Sequence, residues 1–259
     1  MSESRKADMI LTVDVGNTST ACAVFRGRSI VYRRRVPTPE KWPAGHLKAL
    51  LRADWSEKIR AVIVSSVVPP LDRALAENIK KTFGLPAFFI DHRTSTGIAL
   101  KIDKPSELGA DRIADCLGAL TFFPPPLIVI DSGTATTFDL LNEKNEYCGG
   151  SILPGIEIAI KSLAENTAKL KDIAFAVPVS PVGTNTVNSI RAGIFLGTVG
   201  ALTHLIALYR QILGPKSKVI ATGGLIRYFK GRLPGIDAFE PDLLFYGLKS
   251  VYDRQQKSA

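Results

Sequence analysis

Short apolar runs, each closed by a polar turn, punctuate the chain from its start. Met9–Val13 leads into Asp14-Val15-Gly16-Asn17-Thr18-Ser19-Thr20-Ala21, and Leu127–Ile130 leads into Asp131-Ser132-Gly133-Thr134-Ala135-Thr136-Thr137. After each come an apolar segment, a polar turn and a second apolar segment. This spacing predicts strand, tight Gly-Thr turn, strand, twice over. The two aspartates stand nearly half of the 259-residue chain apart. Two similar acidic phosphate loops, one per half, point to a nucleotide held in a cleft between duplicated domains.

The pattern between these loops fills in the rest. Strands are predicted at 9–14, 20–26 and 29–36, a helix near 44–53, and a very apolar strand at Ala61–Val67. Pro69-Pro70 opens the next helix, since proline is tolerated in a first turn. Strands at Ala87–Ile90 and near Ile98–Ile102 precede a helix over Glu107–Leu120. The proline-rich break Phe122–Pro126 sets the boundary between domains 1–122 and 123–259. The second half repeats strand, hairpin and strand at 127–152, with helices near 156–168 and 186–213. A strand at Val219–Ala221, a helix at 224–231 and a terminal helix at 242–255 complete an α/β chain.

Composition changes this picture little. A hydrophobic content of 46% is enough for a substantial core. The polar Met1–Asp8 carries no apolar run, which predicts no secretory signal. Cys22, Cys116 and Cys148 lack metal-like spacing and read as reduced, packed thiols of a cytoplasmic protein. His46, His92 and His204 form no visible ligand set, so no zinc site is expected. Ala192–Tyr209 holds 18 residues without Lys, Arg, Asp or Glu, at the lower edge for a membrane span. Its glycines at 193, 197 and 200 favour a helix buried at a domain core or subunit interface instead. The net charge of +9 gathers partly at Arg26, Arg28 and Arg33–Arg35. No aromatic-basic or helix-turn-helix pattern accompanies it, so a solvated hairpin face that draws anionic small molecules is expected rather than nucleic-acid binding.

The chemistry-bearing positions form a short set. A glycine at a strand end lets backbone N–H groups approach phosphate oxygens, and neighbouring threonines add donors. Asp14 and Asp131 cannot bind phosphate themselves and are suited to hold a cation, directly or through water. In Gly109-Ala110-Asp111-Arg112-Ile113-Ala114-Asp115, a helix-start aspartate can accept a proton and Arg112 can pair with a carboxylate or phosphate. Asp111 and Asp115 share a helix face. A surface ion pair explains this stretch equally well when it is taken alone. Gly149–Gly155 and Ala221-Thr222-Gly223-Gly224-Leu225 offer glycines against which a ligand, a base or a ribose can lie; plain turns are the simpler explanation. Thr184 or Thr186 is placed to cap the long apolar helix, and ligand contact explains the pair equally well.

Taken in order, Asp14-Val-Gly-Asn-Thr, Ser65-Ser66-Val67-Val68-Pro69, Gly109-Ala-Asp-Arg, Asp131-Ser-Gly-Thr-Ala-Thr-Thr, Gly150-Ser-Ile-Leu-Pro-Gly155 and Asn185-Thr186 resemble the type III pantothenate kinase family. The resemblance runs from about Ile10 to Gly247. It implies the acetate and sugar kinase, Hsp70 and actin superfamily fold: two duplicated ribonuclease H-like (actin-like ATPase) domains, with mixed sheets flanked by helices and a cleft between them. It implies ATP-dependent phosphorylation of pantothenate to 4′-phosphopantothenate, the first step of coenzyme A biosynthesis. It also implies a cytoplasmic homodimer that uses Mg²⁺ and a monovalent cation, K⁺ or NH₄⁺. By the same resemblance, Asp14–Ala21 and Thr134 bind ATP, and Gly109, Ala110, Asp111, Arg112 and Thr186 contact pantothenate. Asp111 becomes the catalytic base. Asp131 holds the monovalent cation, and Asp14 holds Mg²⁺ through water. One position departs: in Lys101-Ile102-Asp103-Lys104-Pro105, Ile102 stands where the family has a pantothenate-touching tyrosine. Two other readings fit the loops. One is a same-superfamily kinase or phosphatase for another small molecule, such as a sugar or polyphosphate. The other is a non-catalytic nucleotide-binding regulator, supported only by Ile102 and the basic hairpin.

Overall fold

A computed structural model describes residues 9–43, 45–51, 55, 58–165 and 173–258. In chain order the first elements are β1 (Met9–Val15), β2 (Ser19–Arg26), β3 (Ser29–Pro37), α1 (His46–Leu50), β4 (Ile59–Ser66), α2 (Pro69–Phe83), β5 (Ala87–Phe89), β6 (Ala99–Leu100) and α3 (Ala110–Phe122). After them come β7 (Leu127–Ser132), β8 (Ala135–Leu141), β9 (Glu146–Pro154), α4 (Ile156–Glu165), α5 (Thr186–Leu213), β10 (Lys218–Thr222), β11 (Ala238–Phe239) and α6 (Leu243–Ser258).

Two compact units result. The first holds a five-stranded sheet in the order β3-β2-β1-β4-β5. Its first three strands form an antiparallel meander, and β4 and β5 add in parallel beyond β1. Strand alternation sends Leu11, Val13, Val24, Val62 and Val64 to one face, where Leu71, Leu75 and Ile79 of α2 complete a core. Paired prolines open α2, and Gly84, with φ of 69°, closes it by donating its N–H to Lys80 O at 2.9 Å. The opposite face carries Ile10, Thr12 and Asp14 and is covered by α3 and α6.

The second unit repeats that topology. Its sheet runs β11-β10-β7-β8-β9, with β6 added beside β9. β7, β8 and β9 form the antiparallel meander, and β10 and β11 lie parallel beyond β7. Ile128, Ile130, Phe138, Ile156, Phe195, Leu202, Ile206 and Phe229 form its core. The shared strand order is the structural form of the duplication seen in the two aspartate loops.

Several expectations are revised. The units do not follow a linear division at 122/123. The chain leaves the first unit at Phe122, but α6 returns to it, and Ala99–Ile102 belongs to the second. The helix expected at 224–231 is a single 3-10 turn at Ile226–Tyr228. It is confined between Gly223 and Gly231, whose φ values of 98° and 74° break a helix on either side. Of the helices expected at 44–53 and 156–168, only His46–Leu50 and Ile156–Glu165 are helical among the described residues; 44, 52, 53 and 166–168 lie outside them. The cap of α5 is Asn185, whose side chain accepts from Asn188 N at 2.9 Å, rather than Thr184 or Thr186. By length and composition α5 is apolar enough to cross a membrane. Within the unit, Ala192, Phe195, Leu202 and Ile206 face the core. Gly193, Gly197 and Gly200 face open space, so the helix is buried along one side only.

Candidate active site

The first unit builds its site where β1 ends. Asp14 is half-buried and sits in register between Ala21 of β2 and Ser65 of β4. Beyond it the chain turns tightly, with Gly16 N–H donating to Ser19 O at 3.1 Å. Asn17 and Thr18 are exposed at the tip of this turn. Val15, Thr20 and Ala21 are buried, so any ligand contact from these three falls to the main chain.

The start of α3 lies against the same end of the sheet. Val67 N–H donates to Val15 O at 3.0 Å, which ties the residue after β4 to the residue after Asp14. A Cβ built on Gly109 would lie 3.5 Å from Val67 Cγ1 and would collide with Asp111 Oδ1. Gly109 therefore lets the first turn of α3 approach closely; its carbonyl accepts from Ile113 N at 3.3 Å. Asp14 and Asp111, distant in sequence, thus come to one edge of one sheet. Asp111 Oδ1 accepts from Arg112 N at 2.8 Å. Burial pushes the Asp111 carboxyl above its ordinary 3.8, against the opposing pull of the Arg112 N–H and guanidinium. Asp115, one turn on, is buried, so the face it shares with Asp111 is not a solvated surface. Ala110 is buried too and offers only its main chain.

The second unit builds a counterpart around Asp131. It pairs in register with Thr137 of β8 and Thr222 of β10. Gly133 N–H donates to Ala135 O at 2.9 Å, the analogue of the Gly16 turn. Gly155 N–H donates to Thr134 O at 3.1 Å, which brings the start of α4 against this loop. Thr134 itself is exposed. Gly223, expected to lie against a base or ribose, packs on the protein instead: a Cβ there would strike Asp131 Oδ1 and the Ser132 carbonyl. Gly224 is the member of that pair that faces open space. Ile102 lies beside Gly149, with 3.8 Å between its Cγ2 and a Cβ built on the glycine. Thr186 is exposed at the first position of α5.

Among the described residues, no three His, Cys, Asp or Glu side chains gather into a metal-ligating group. A cation at Asp14 or Asp131 would therefore be held by one carboxylate with peptide, hydroxyl or water oxygens, a donor set that suits hard cations. Asp131 Oδ1 and the Ser132 carbonyl oxygen both lie against Gly223, so oxygens of that kind are present there. Two further contributors to the first site lie outside the motifs: Thr38, which had no sequence signal, and Arg35, noted only as part of the basic hairpin. Thr38 makes three hydrogen bonds to the Gly16–Thr20 turn, and Arg35 donates to Ser19 Oγ at 2.8 Å.

Two similar sheets, each ending in an acidic Gly-Thr turn, define an actin-like ATPase fold. The MreB5 of Spiroplasma citri bound to AMPPNP has this fold, with TM-score 0.54 and 12% identity over 97% of this chain and 98% of that one. Component A of the (R)-2-hydroxyglutaryl-CoA dehydratase of Acidaminococcus fermentans matches at TM-score 0.55 and 15% identity, over 97% of this chain and all of that one. The sequence is more specific. The type III pantothenate kinase family model matches residues 10–208. The type III pantothenate kinase of Myxococcus xanthus is 38% identical over 96% of this chain and its own full length. That of Halalkalibacterium halodurans is 36% identical over 95% and 99%. The chain belongs to the type III pantothenate kinase family and is a kinase.

Proposed function

We propose that the two loops and the start of α3 divide the work of ATP-dependent phosphorylation of pantothenate, the first step of coenzyme A biosynthesis. Asp14–Ala21 and Thr134 bind ATP, with the main-chain N–H groups of the turns directed to phosphate. Gly109–Arg112 and Thr186 bind pantothenate, and Asp111 accepts the proton of its primary hydroxyl as that oxygen attacks the γ-phosphorus and the β–γ bridging oxygen leaves with ADP. Arg112 offsets negative charge. Phosphoryl transfer is mainly positioning and charge neutralisation, so a fixed base and fixed donors account for most of what a protein supplies. Mg²⁺ near Asp14 and K⁺ or NH₄⁺ near Asp131 would supply charge screening.

The observation that carries this reading is the approach of Gly109 to Val67, which sets a half-buried carboxylate of raised proton affinity beside the Asp14 turn. A base of higher pKa is a stronger proton acceptor at neutral pH. Family membership favours pantothenate over the sugar, polyphosphate and regulator readings. The enzyme works in the cytoplasm as a homodimer through the open face of α5, with pantothenate and ATP as its partners rather than nucleic acid or a membrane.

The test is a coupled assay with pantothenate, Mg-ATP and either K⁺ or Na⁺, with Asp111→Asn alongside. Turnover falls by about two or more orders of magnitude in the variant, the usual range for base removal, while ATP binding is kept. Equal wild-type rates in Na⁺ and K⁺ count against the cation role of Asp131, and near-wild-type turnover of Asp111→Asn sinks the base assignment.

A further inference from the structure

Thr38 follows β3 directly and belongs to none of the motifs that mark the site. It nonetheless makes three hydrogen bonds to the Asp14 loop. Its hydroxyl donates to Gly16 O at 2.6 Å. The Thr38 and Thr20 hydroxyls lie 3.0 Å apart. A threonine hydroxyl has one proton, so with Thr38 committed to Gly16, Thr20 is the donor in that second bond. The Thr38 N–H donates to Thr18 O at 3.0 Å. Three bonds from one residue thus hold three alternate residues of the turn.

We propose that Thr38 is a positioning residue for the nucleotide: it fixes the Gly16–Thr20 turn in the form that receives phosphate. The planar trans peptide sets the sense of this effect. In each unit the C=O and the following N–H point in opposite directions. Tying the Gly16 and Thr18 carbonyls toward Thr38 turns the N–H groups of Asn17 and Ser19 away from it, out of the turn. Without the hydroxyl, the Gly16–Asn17 peptide loses its anchor, and glycine is the residue most free to rotate it. The cost then falls on ATP binding, because an unfixed turn must be ordered by the ligand itself. Thr38 is half-buried at the end of an edge strand, so its hydroxyl can be removed with little disturbance of the core.

This inference rests on the assignment of Asp14–Ala21 as the ATP loop, and the experiment separates the two. Thr38→Val keeps the shape and the N–H bond to Thr18 while deleting the hydroxyl; Thr38→Ala does the same with less bulk, should the valine not fold. Thr38→Ser restores the hydroxyl. In Thr38→Val the KM for ATP rises about tenfold, the equivalent of losing one or two ordinary hydrogen bonds. The KM for pantothenate at saturating ATP stays within about twofold, as a change confined to one substrate's site requires. Thr38→Ser lies close to wild type, and direct titration with ADP follows the same order. A merely structural residue would lower the melting temperature and shift both KM values alike, and that outcome overturns the proposal. Asp14→Asn serves as the second arm. If it weakens ATP binding and neither hydroxyl-free variant does, the Thr38 role fails alone. Should neither site matter to ATP, the loop assignment fails as well.

Discussion

In the role proposed for it, Asp111 would serve chemistry at the expense of the fold. Burial raises its pKa, and the neighbouring Arg112 N–H and guanidinium only partly offset this. The base must be ionised to accept a proton, so turnover falls as the pH drops through the raised pKa. The acid limb of the kcat profile should therefore have its midpoint above 3.8, the ordinary value for the group. Asp111→Asn should lack that limb. The stability sign is the reverse of that for a salt-bridged aspartate. A raised folded pKa means the native state binds this proton more tightly than the unfolded chain, so ionisation opposes folding at neutral pH. Asp111→Asn is then expected to melt at or above the wild-type temperature at pH 7 while losing turnover. A marked fall in melting temperature would show that the carboxylate stabilises the fold, contrary to its burial. Residues of this kind are legible in a sequence because acid and glycine identity marks them. Thr38 is not: its partners lie 18 and 22 positions away along the chain, and an isolated threonine after a strand carries no signal.

At the scale of elements, the crossing of α3 and α6 governs the first site, since Asp111 stands at the start of α3. The two helices touch through glycines. A Cβ on Gly118 would overlap the Leu243 carbonyl, and one on Gly247 would overlap the Ala114 carbonyl. Such contacts bring the backbones together and leave no room for a methyl group. Gly247→Ala should destabilise the protein by about 1–3 kcal/mol, the usual cost of overpacking, although alanine is the better helix former. Thermal melting reads this directly, and an unchanged midpoint would mean that the crossing is looser than described. The apolar pattern of α6 announces a helix with one buried side but not which core takes it, so nearness in sequence assigned it to the wrong unit. Short elements escaped for another reason: β11 has two residues, too few for any period to register. The meanders were legible because three consecutive strands, with tight turns between, repeat their pattern in both halves.

At the scale of the whole molecule, α5 has a largely apolar stripe that none of the described residues covers. Ala192, Phe195, Leu202 and Ile206 face the core. On the other side, Gly193, Gly197 and Gly200 meet nothing within 4 Å, and Leu196 and Leu208 are 42% and 38% exposed. At 100° per residue these five positions fall on one stripe opposite the core. His204, also exposed, lies on this stripe, but an exposed surface made mostly of small and apolar residues is often covered by a partner. Small residues spaced along it allow a second helix to approach closely, which fits a copy of the same helix across a two-fold axis, where one patch meets itself. The expected solution mass is therefore twice 28.0 kDa. Gly197→Leu tests the face without touching the monomer's interior, since its side chain enters open space. In light scattering at micromolar concentration, the variant should shift toward the single-chain mass while its far-ultraviolet circular dichroism stays unchanged. A wild-type mass of one chain would remove the need for this interface, and a Gly197→Leu dimer as tight as wild type would move it to another surface.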